Sequence, residues 1–327
     1  MIICLKPYGT AVARTSSELS TRTTPTIVSS GNGRGALPVG IRILARGGSA
    51  LDAVEACARV VEADPADETV GLGGLPNVLG VVELDASIVD GTTHFAGSVA
   101  ALTGFLHPIS IARAVMEKLP HVMLVGAGAA RFAREIGAEE ADLLTPAARS
   151  RWVEVLKDAG HTPASIAATN ALAPVVWTTV EERGTVNFIA VDGRGNIASA
   201  VSTSGWGFKY PGRIGDSPVI GAGHYSDSRY GGAACTGFGE LALRNVTTKT
   251  AVDRLAAGRS AEQVATGAIA DANGLQSPGM RLNIIVLAAN GEHAAATTKR
   301  NVRYAYQTVR MARPAVRPRI VVRQRSA

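Results

Sequence analysis

The stretch GTVNFIAVD at residues 184–192 is an apolar run typical of a strand that is buried on both faces. The turn sequence GRG follows at residues 193–195, and a second apolar run ends at Thr203. Two strands joined by a short turn pair antiparallel, so the start of one lies beside the end of the other. The pattern therefore predicts that the hydroxyl groups of Thr185 and Thr203 are neighbours. Because β-branched residues also suit strands for packing alone, this pairing leaves their role open.

The composition is that of a chain with a large apolar core and many tight turns. The 327 residues are 46% hydrophobic, and they include 36 glycines but only 5% aromatic residues. Arginines crowd a basic tail at residues 310–327, and the net charge is +6. Because no aromatic platform or binding motif accompanies this tail, we expect it to be solvated and predict no nucleic-acid partner.

The cysteines and the N-terminus bear on the compartment. Cys4, Cys57 and Cys235 have neither the number of a disulfide framework nor the spacing of metal ligands, so a reducing, cytoplasmic location is expected. Residues 1–25 are polar and rich in Thr and Ser, which predicts a flexible extension without a signal peptide. No apolar run is long enough for a transmembrane span, so no membrane partner is expected.

A glycine-rich turn near the N-terminus bears on an alternative function, dinucleotide binding. A predicted strand at residues 26–30 precedes GNGRGA and then a helix to about Arg46, an order that resembles a dinucleotide-binding fingerprint. That fingerprint needs an acidic residue at the end of a second strand. Here the acid at the matching distance, Asp52, lies in a second helix that Ser49 caps. Dinucleotide binding is therefore not favoured.

The remaining pattern predicts an α+β fold. Strands are expected at 78–84 and 86–89, helices at 109–117, 126–136, 146–159 and from 260, and a hairpin at 282–288 and 293–298. Residues 161–183 are rich in Ala, Thr and Pro with little periodicity, which predicts a linker. This order of strands and helices fits sheets packed between helical layers.

Two stretches after the central strands carry candidate binding groups. Arg213 and Asp216 lie in PGRIGDSP, residues 211–218. An arginine fork suits a carboxylate and an aspartate suits an ammonium, so the pair fits a zwitterion, although an ordinary surface ion pair is the alternative. Thr236 follows in CTGFGE, residues 235–240, where a hydroxyl and the backbone N–H groups of a helix start can hold an oxyanion.

Residues 26–240, and more loosely the final hairpin, resemble the N-terminal-nucleophile asparaginases, and among them the glycosylasparaginase branch. The motifs occur in the family's order: GGSALDAVE (47–55), VGLGG (70–74), VDGTT (89–93), STSGW (202–206), PGRIGDSP (211–218) and TGFGE (236–240). The resemblance implies a four-layer αββα sandwich of the N-terminal-nucleophile hydrolase type. It also implies that neither a cofactor nor a metal ion is needed.

The resemblance assigns Thr185 as the nucleophile, which becomes N-terminal when the precursor cuts itself between Gly184 and Thr185. It implies that residues 26–184 are the α fragment of the hydrolase unit, that residues 185–327 are its β fragment, and that the processed units form a dimer. Thr203 matches the hydroxyl that supports the nucleophile. Thr236 and Gly237 match the oxyanion hole.

The same resemblance assigns the substrate contacts. Arg213 matches the residue that binds the α-carboxylate of a β-aspartyl amide, and Asp216 the residue that binds its α-ammonium. Gly239 matches a backbone contact to the α-amino group. The implied reaction hydrolyses the β-amide of an asparagine derivative to aspartate and an amine.

The chemistry of threonine agrees with this assignment. A threonine hydroxyl is a poor nucleophile without a base, and the sequence shows no Ser-His-Asp set and no metal triad. A free α-amino group on Thr185, with a pKa near ~8, can itself serve as the base. Cys235 is disfavoured as an alternative nucleophile because no motif supplies its base.

Three departures from the glycosylasparaginase pattern leave the leaving group open. Gly184 stands where that branch usually has Asp and where plant-type asparaginases have Gly. Residues 29–32, SSGN, occupy a first loop that tends to carry tryptophan, and Asn187 stands where glycine is common. L-Asparaginase or isoaspartyl dipeptidase activity is therefore an alternative. An unprocessed, inactive amino-acid-binding homologue is an alternative of another class.

Overall fold

The computed structural model describes residues 23–182, 184–275 and 280–323. Within them the helices are α1 (Leu37–Ala45), α2 (Ala50–Glu62), α3 (Pro108–Lys118), α4 (Gly126–Glu135), α5 (Pro146–Asp158), α6 (Pro163–Ala168), α7 (Leu172–Thr179), α8 (Gly239–Asn245), α9 (Thr247–Ala256) and α10 (Ala261–Gly274). The strands are β1 (Thr26–Ser30), β2 (Leu84–Asp90), β3 (Ala96–Leu102), β4 (Met123–Val125), β5 (Val186–Val191), β6 (Ile197–Thr203), β7 (His224–Asp227), β8 (Gly231–Gly237), β9 (Leu282–Ala288), β10 (His293–Thr297), β11 (Arg303–Thr308), β12 (Ala315–Pro318) and β13 (Ile320–Val321). The α+β class is confirmed. The expectations for Cys4 and for the extension up to residue 22 lie outside the described residues.

The strands form two sheets. The eight-stranded sheet has the order β12-β11-β1-β5-β6-β2-β3-β4, and the five-stranded sheet has the order β13-β10-β9-β8-β7. Strands β5 and β6 pair antiparallel with Val186 opposite Ser202, which confirms the predicted hairpin. Thr185, directly before β5, therefore lies beside Thr203, at the end of the central strands where β5 begins and β6 ends.

Three of the apolar clusters pack on the two sheets or between them. One cluster joins α1 to α4 with the eight-stranded sheet and includes Phe188, and a second joins α8 to α10 with the five-stranded sheet. A third lies between the two sheets and includes Ile189 and Ile285. Phe188 and Ile189 are neighbours on β5 yet both are fully buried, which confirms a strand covered on both faces. Burying each such side chain stabilises the fold by about 1.5–3 kcal/mol.

The helix capped by Ser49 is confirmed, and so are three further helices and a hairpin. The Ser49 hydroxyl accepts a hydrogen bond from the backbone N–H of Asp52 over 3.1 Å, so Asp52 belongs to a helix start rather than to a strand end. The helices predicted from residues 109, 126 and 146 are α3, α4 and α5. The predicted C-terminal hairpin is β9 and β10.

The predicted strand at residues 78–84 is wrong for most of its length. Strand β2 begins only at Leu84, because Asn77 holds the preceding residues in a turn. The Asn77 side-chain oxygen accepts hydrogen bonds from the backbone N–H groups of Leu79 and Val81 over 2.9 and 3.1 Å. These local bonds compete with a sheet ladder, and apolar composition alone does not reveal them.

The stretch expected to be a linker contains two short helices, α6 and α7. Thr162 and Ser165 form a reciprocal capping box at the start of α6, and Pro163 occupies its first turn. The cap compensates for weak helical periodicity in this stretch.

The basic tail is not uniformly solvated. Within its described part, β12 joins the eight-stranded sheet and β13 joins the five-stranded sheet. Arg319 is buried and donates hydrogen bonds to the carbonyl oxygens of Ile284 and Arg303 over 2.9 and 3.3 Å. The expectation of a solvated tail is therefore wrong for Arg319, which links strands of both sheets.

Candidate active site

The two threonines at the edge of the central strands are in contact. The buried Thr185 hydroxyl donates to Thr203 Oγ1 over 3.3 Å. Thr203 Oγ1 also lies 3.2 Å from the carbonyl oxygen of Gly184 and accepts a 2.9 Å hydrogen bond from the N–H of Gly205. Thr203 therefore contacts both the Thr185 hydroxyl and the peptide group that precedes it.

A segment before the VGLGG motif packs against this threonine pair. The carbonyl oxygen of Thr69 accepts a hydrogen bond from the N–H of Ser204 over 2.8 Å and lies 3.4 Å from Thr203 Oγ1. The Asp67 carboxylate accepts from the N–H of Thr69 over 2.9 Å and from the Asn32 side chain over 3.0 Å. Asp67 and Thr69 were not predicted from the sequence, although they lie directly before the VGLGG motif.

Asn187 connects three elements at the same edge. Its side-chain oxygen accepts from the N–H of Ser30 over 3.0 Å, and its side-chain nitrogen donates to the carbonyl oxygen of Cys235 over 3.1 Å. It is 1% exposed, so both bonds are shielded from water. The side chain therefore ties β5 to the first loop and to β8, which carries Thr236.

Thr236 and Gly237 end β8. The Asn283 side-chain nitrogen donates a hydrogen bond to Thr236 Oγ1 over 3.1 Å. The Thr297 hydroxyl donates to the side-chain oxygen of Asn283 over 2.7 Å. Because Thr236 Oγ1 accepts this bond, its own proton is available to a third group. Gly237 has a φ of +108°, and a Cβ there would lie 2.4 Å from the Arg281 carbonyl oxygen, so only glycine fits.

Arg213 is paired with a carboxylate that the sequence had not indicated. Its Nε and Nη2 atoms donate to Glu240 Oε1 over 3.1 and 2.8 Å. The guanidinium carbon also lies 4.6 Å from the ring centre of Trp206, and that ring packs edge-on against Phe238. The arginine is thus held by a charged partner and an aromatic face.

Asp216 is a buried carboxylate with one oxygen unpaired among the described residues. It is 5% exposed, and its Oδ2 has no hydrogen-bond partner there. Burial raises the pKa of Asp216 to about 7, and the charges of Glu240 and Asp85 act in the same direction while Arg213 opposes them. A Cβ on Gly239 would lie 2.7 Å from Asp216 Oδ1, so glycine permits this close approach.

A buried lysine supports the loop that carries Arg213 and Asp216. Lys209 is 1% exposed and donates to the Glu83 carbonyl oxygen over 3.2 Å. The Glu83 carboxylate accepts from the N–H of Gly212 over 2.9 Å, and burial lowers the pKa of Lys209. The role of this lysine was not predicted from the sequence, because its partner Glu83 is more than 120 residues away in the chain.

Neither a metal centre nor a reactive cysteine is indicated in this region. No group of three or more His, Cys, Asp or Glu side chains within the described ranges could hold a metal ion. Cys235 is fully buried, and burial raises the pKa of its thiol, which disfavours the thiolate. No helix in the described part of the chain is long and apolar enough to cross a membrane.

Comparisons with known proteins agree on one family. A family model described as asparaginase matches residues 9–314. An N(4)-(β-N-acetylglucosaminyl)-L-asparaginase of Elizabethkingia miricola is 39% identical over 300 residues, which cover 90% of this chain and 84% of that protein. A plant-type L-asparaginase of Pyrococcus furiosus is 39% identical over 268 residues, covering 82% and 86%. An isoaspartyl peptidase/L-asparaginase of Mus musculus is 39% identical over 229 residues, covering 69% and 66%.

Proposed function

Because the chain belongs to the asparaginase family of hydrolases, we propose that it is a self-processing threonine amidohydrolase acting on the β-amide of asparagine derivatives. The observation that carries this proposal is the contact of the Thr185 and Thr203 hydroxyl groups beside the Gly184 carbonyl. The fold we propose is the four-layer αββα sandwich of N-terminal-nucleophile hydrolases. The core between the two sheets and the two helical clusters support it.

The first step of the proposal is self-cleavage. Thr185 Oγ1 attacks the carbonyl carbon of Gly184, the C–N bond breaks, and an ester replaces the amide while the nitrogen becomes a free amine. Water then hydrolyses the ester, leaving a carboxylate on Gly184 and a free hydroxyl on Thr185. Glycine suits this position, because it tolerates the strained backbone that such an attack requires.

Turnover reuses the same oxygen. The freed amine of Thr185 takes the proton from Oγ1, which attacks the substrate's side-chain amide carbon. The Thr236 hydroxyl and the Gly237 N–H stabilise the oxyanion, and the amine leaves with a proton. Water hydrolyses the resulting β-aspartyl ester and releases aspartate.

The proposed substrate contacts come from the loop after β6, which carries Arg213 and Asp216, and from the start of α8 at Gly239. Arg213 binds the α-carboxylate, while Asp216 and the backbone of Gly239 bind the α-ammonium. The unpaired, buried oxygen of Asp216 supports this assignment, because a buried carboxylate without a partner is costly and an ammonium satisfies it.

N4-glycosyl-asparagine is the first candidate substrate. The relative of that specificity aligns over 90% of this chain. L-Asparagine and β-aspartyl dipeptides are the second candidates, since relatives with those activities have the same identity of 39% and Gly184 follows the plant-type pattern. A dimer of processed units and a cytoplasmic location remain predictions.

Cleavage and turnover measured side by side test the proposal. Wild-type protein should separate on a denaturing gel into fragments of 184 and 143 residues, the smaller starting Thr-Val-Asn. Thr185→Ala should remain intact and inactive, whereas Thr185→Cys keeps a nucleophile, should still cleave and should turn over substrate poorly. Wild-type turnover by an intact chain, or two fragments and amidase activity from Thr185→Ala, would refute the mechanism. An intact, inactive wild type that binds aspartate would identify a binding homologue instead.

A further inference from the structure

Polar atoms without hydrogen-bond partners converge on Arg213. Among the described residues, eight buried side-chain atoms have no such partner. Three of them, Trp206 Nε1, Asp216 Oδ2 and Glu240 Oε2, belong to residues that contact Arg213 or interact with its charge. Buried polar atoms are normally satisfied, so this concentration indicates a place where a polar ligand supplies the missing partners.

The two edges of the Arg213 guanidinium differ. Glu240 Oε1 occupies the edge formed by Nε and Nη2. Nη1 instead lies beside two glycines, since a Cβ on Gly215 would be 3.3 Å away and one on Gly205 would be 3.5 Å away. Because a guanidinium has five N–H donors in a rigid plane, the edge formed by Nη1 and Nη2 can still bind a carboxylate through two hydrogen bonds.

We propose that Glu240 is a positioning residue for Arg213 and Asp216 as they bind an amino acid. It holds the edge of Arg213 formed by Nε and Nη2, so that the edge formed by Nη1 and Nη2 accepts an α-carboxylate. Its second oxygen adds to the negative field at which Asp216 binds an α-ammonium. The choice of an α-amino acid as ligand rests on the proposed function. The geometry of the arginine edges stands independently of it.

If Glu240 only stabilised the fold, its removal would affect thermal stability rather than ligand affinity. Glu240 lies in the first turn of α8, where an acidic residue also favours the helix dipole. In that case its loss would lower thermal stability without changing ligand affinity selectively. The charges that act on Asp216 are Glu240 and Asp85, which raise its pKa, and Arg213, which lowers it. Removing the Glu240 charge should therefore lower the pKa of Asp216.

Calorimetric titration of the purified full-length chain with L-aspartate tests the proposal. Glu240→Gln should weaken binding roughly tenfold, the effect of losing a hydrogen bond to a charged group. Succinate keeps both carboxylates but has no ammonium, so its affinity should fall by less. The control is Asp271→Asn, which breaks the similarly exposed Arg254–Asp271 pair elsewhere and should leave both affinities unchanged.

The pH dependence separates the two effects of Glu240. In Glu240→Gln, the acidic limb of aspartate binding should move to lower pH, because Asp216 ionises more readily. Glu240→Asp keeps the charge but is one methylene shorter, so it should weaken binding without moving that limb; it also serves if the glutamine variant does not fold. Unchanged aspartate affinity in Glu240→Gln, equal losses for both ligands with an unmoved limb, or no aspartate binding by wild type would overturn the inference. A wild type that binds aspartate in this pattern without hydrolysing any β-aspartyl amide would refute the proposed function alone.

Discussion

Replacing Asp216 by asparagine should make the free protein more stable in neutral solution while abolishing turnover. The carboxylate is 5% exposed, and one of its oxygens has no hydrogen-bond partner among the described residues. Ionising it in the folded state is unfavourable, and burial raises its pKa from 3.8 to about 7. Asparagine has nearly the same shape and no charge, so the folded variant avoids this cost.

The pKa change sets an upper limit on the gain. Each pKa unit corresponds to about 1.4 kcal/mol, so a rise from 3.8 to about 7 corresponds to roughly 4 kcal/mol at pH 8. Relaxation and water offset part of this cost, and we expect about 2 kcal/mol. Because the pKa of Asp216 is raised in the folded state, its contribution to the stability of the wild type is fully present below pH 4 and is lost as the pH rises through 7.

Urea unfolding of both proteins at pH 4 and pH 8 measures this effect. The stability advantage of Asp216→Asn over wild type should grow by about 2 kcal/mol between the two pH values, the discounted estimate from the pKa change. Asp271→Asn is the control, because its carboxylate is paired with Arg254 and its loss should not stabilise the protein. An advantage of Asp216→Asn that does not change with pH would refute the inferred buried charge.

Two further substitutions test the proposed α-carboxylate contact and the proposed oxyanion hole. Arg213→Ala should cleave itself normally. Its kcat/KM for substrates with a free α-carboxylate should fall by the equivalent of about 2–5 kcal/mol, because a charged contact is removed. A wild-type kcat/KM would show that Arg213 does not bind substrate. Asn283→Ala should lower kcat roughly tenfold with little change in KM, because the Thr236 hydroxyl loses the donor that orients it. Asn290→Ala, at the turn of the same hairpin, is the matched control for Asn283, and an equal kcat in both variants would contradict the orienting role.

Local sequence was sufficient for the part of the site made by neighbouring strands. The apolar runs that end at Thr203 and begin after Thr185 predicted an antiparallel hairpin, and the structure has it in the expected register. The contact between the two threonines follows from that register. Likewise, Ser49 revealed the start of α2, because a cap acts on the N–H three residues ahead.

The supporting residues could not be predicted in the same way, because their partners are distant in the chain. Lys209 reaches Glu83 across 126 residues, and Asn283 reaches Thr236 across 47. Glu240 was visible as part of a motif, yet nothing in its neighbourhood indicated that it pairs with Arg213. Such contacts depend on how the two sheets and their loops assemble, and no local period encodes that arrangement.

The buried oxygens without hydrogen-bond partners also explain why stability and function should oppose each other here. Asp216 and Glu240 each have one buried oxygen without a partner among the described residues; Glu240 is paired with Arg213, and the charge of Arg213 acts on Asp216. In the free protein this arrangement costs stability, since the buried carboxylate of Asp216 loses hydration that the charge of Arg213 does not replace. In the proposed complex, the α-carboxylate and the α-ammonium of a bound amino acid complete the hydrogen bonds of Arg213 and Asp216. L-Aspartate should therefore stabilise wild type strongly and Asp216→Asn weakly, so the variant that is more stable when empty becomes the less stable one when ligand is saturating.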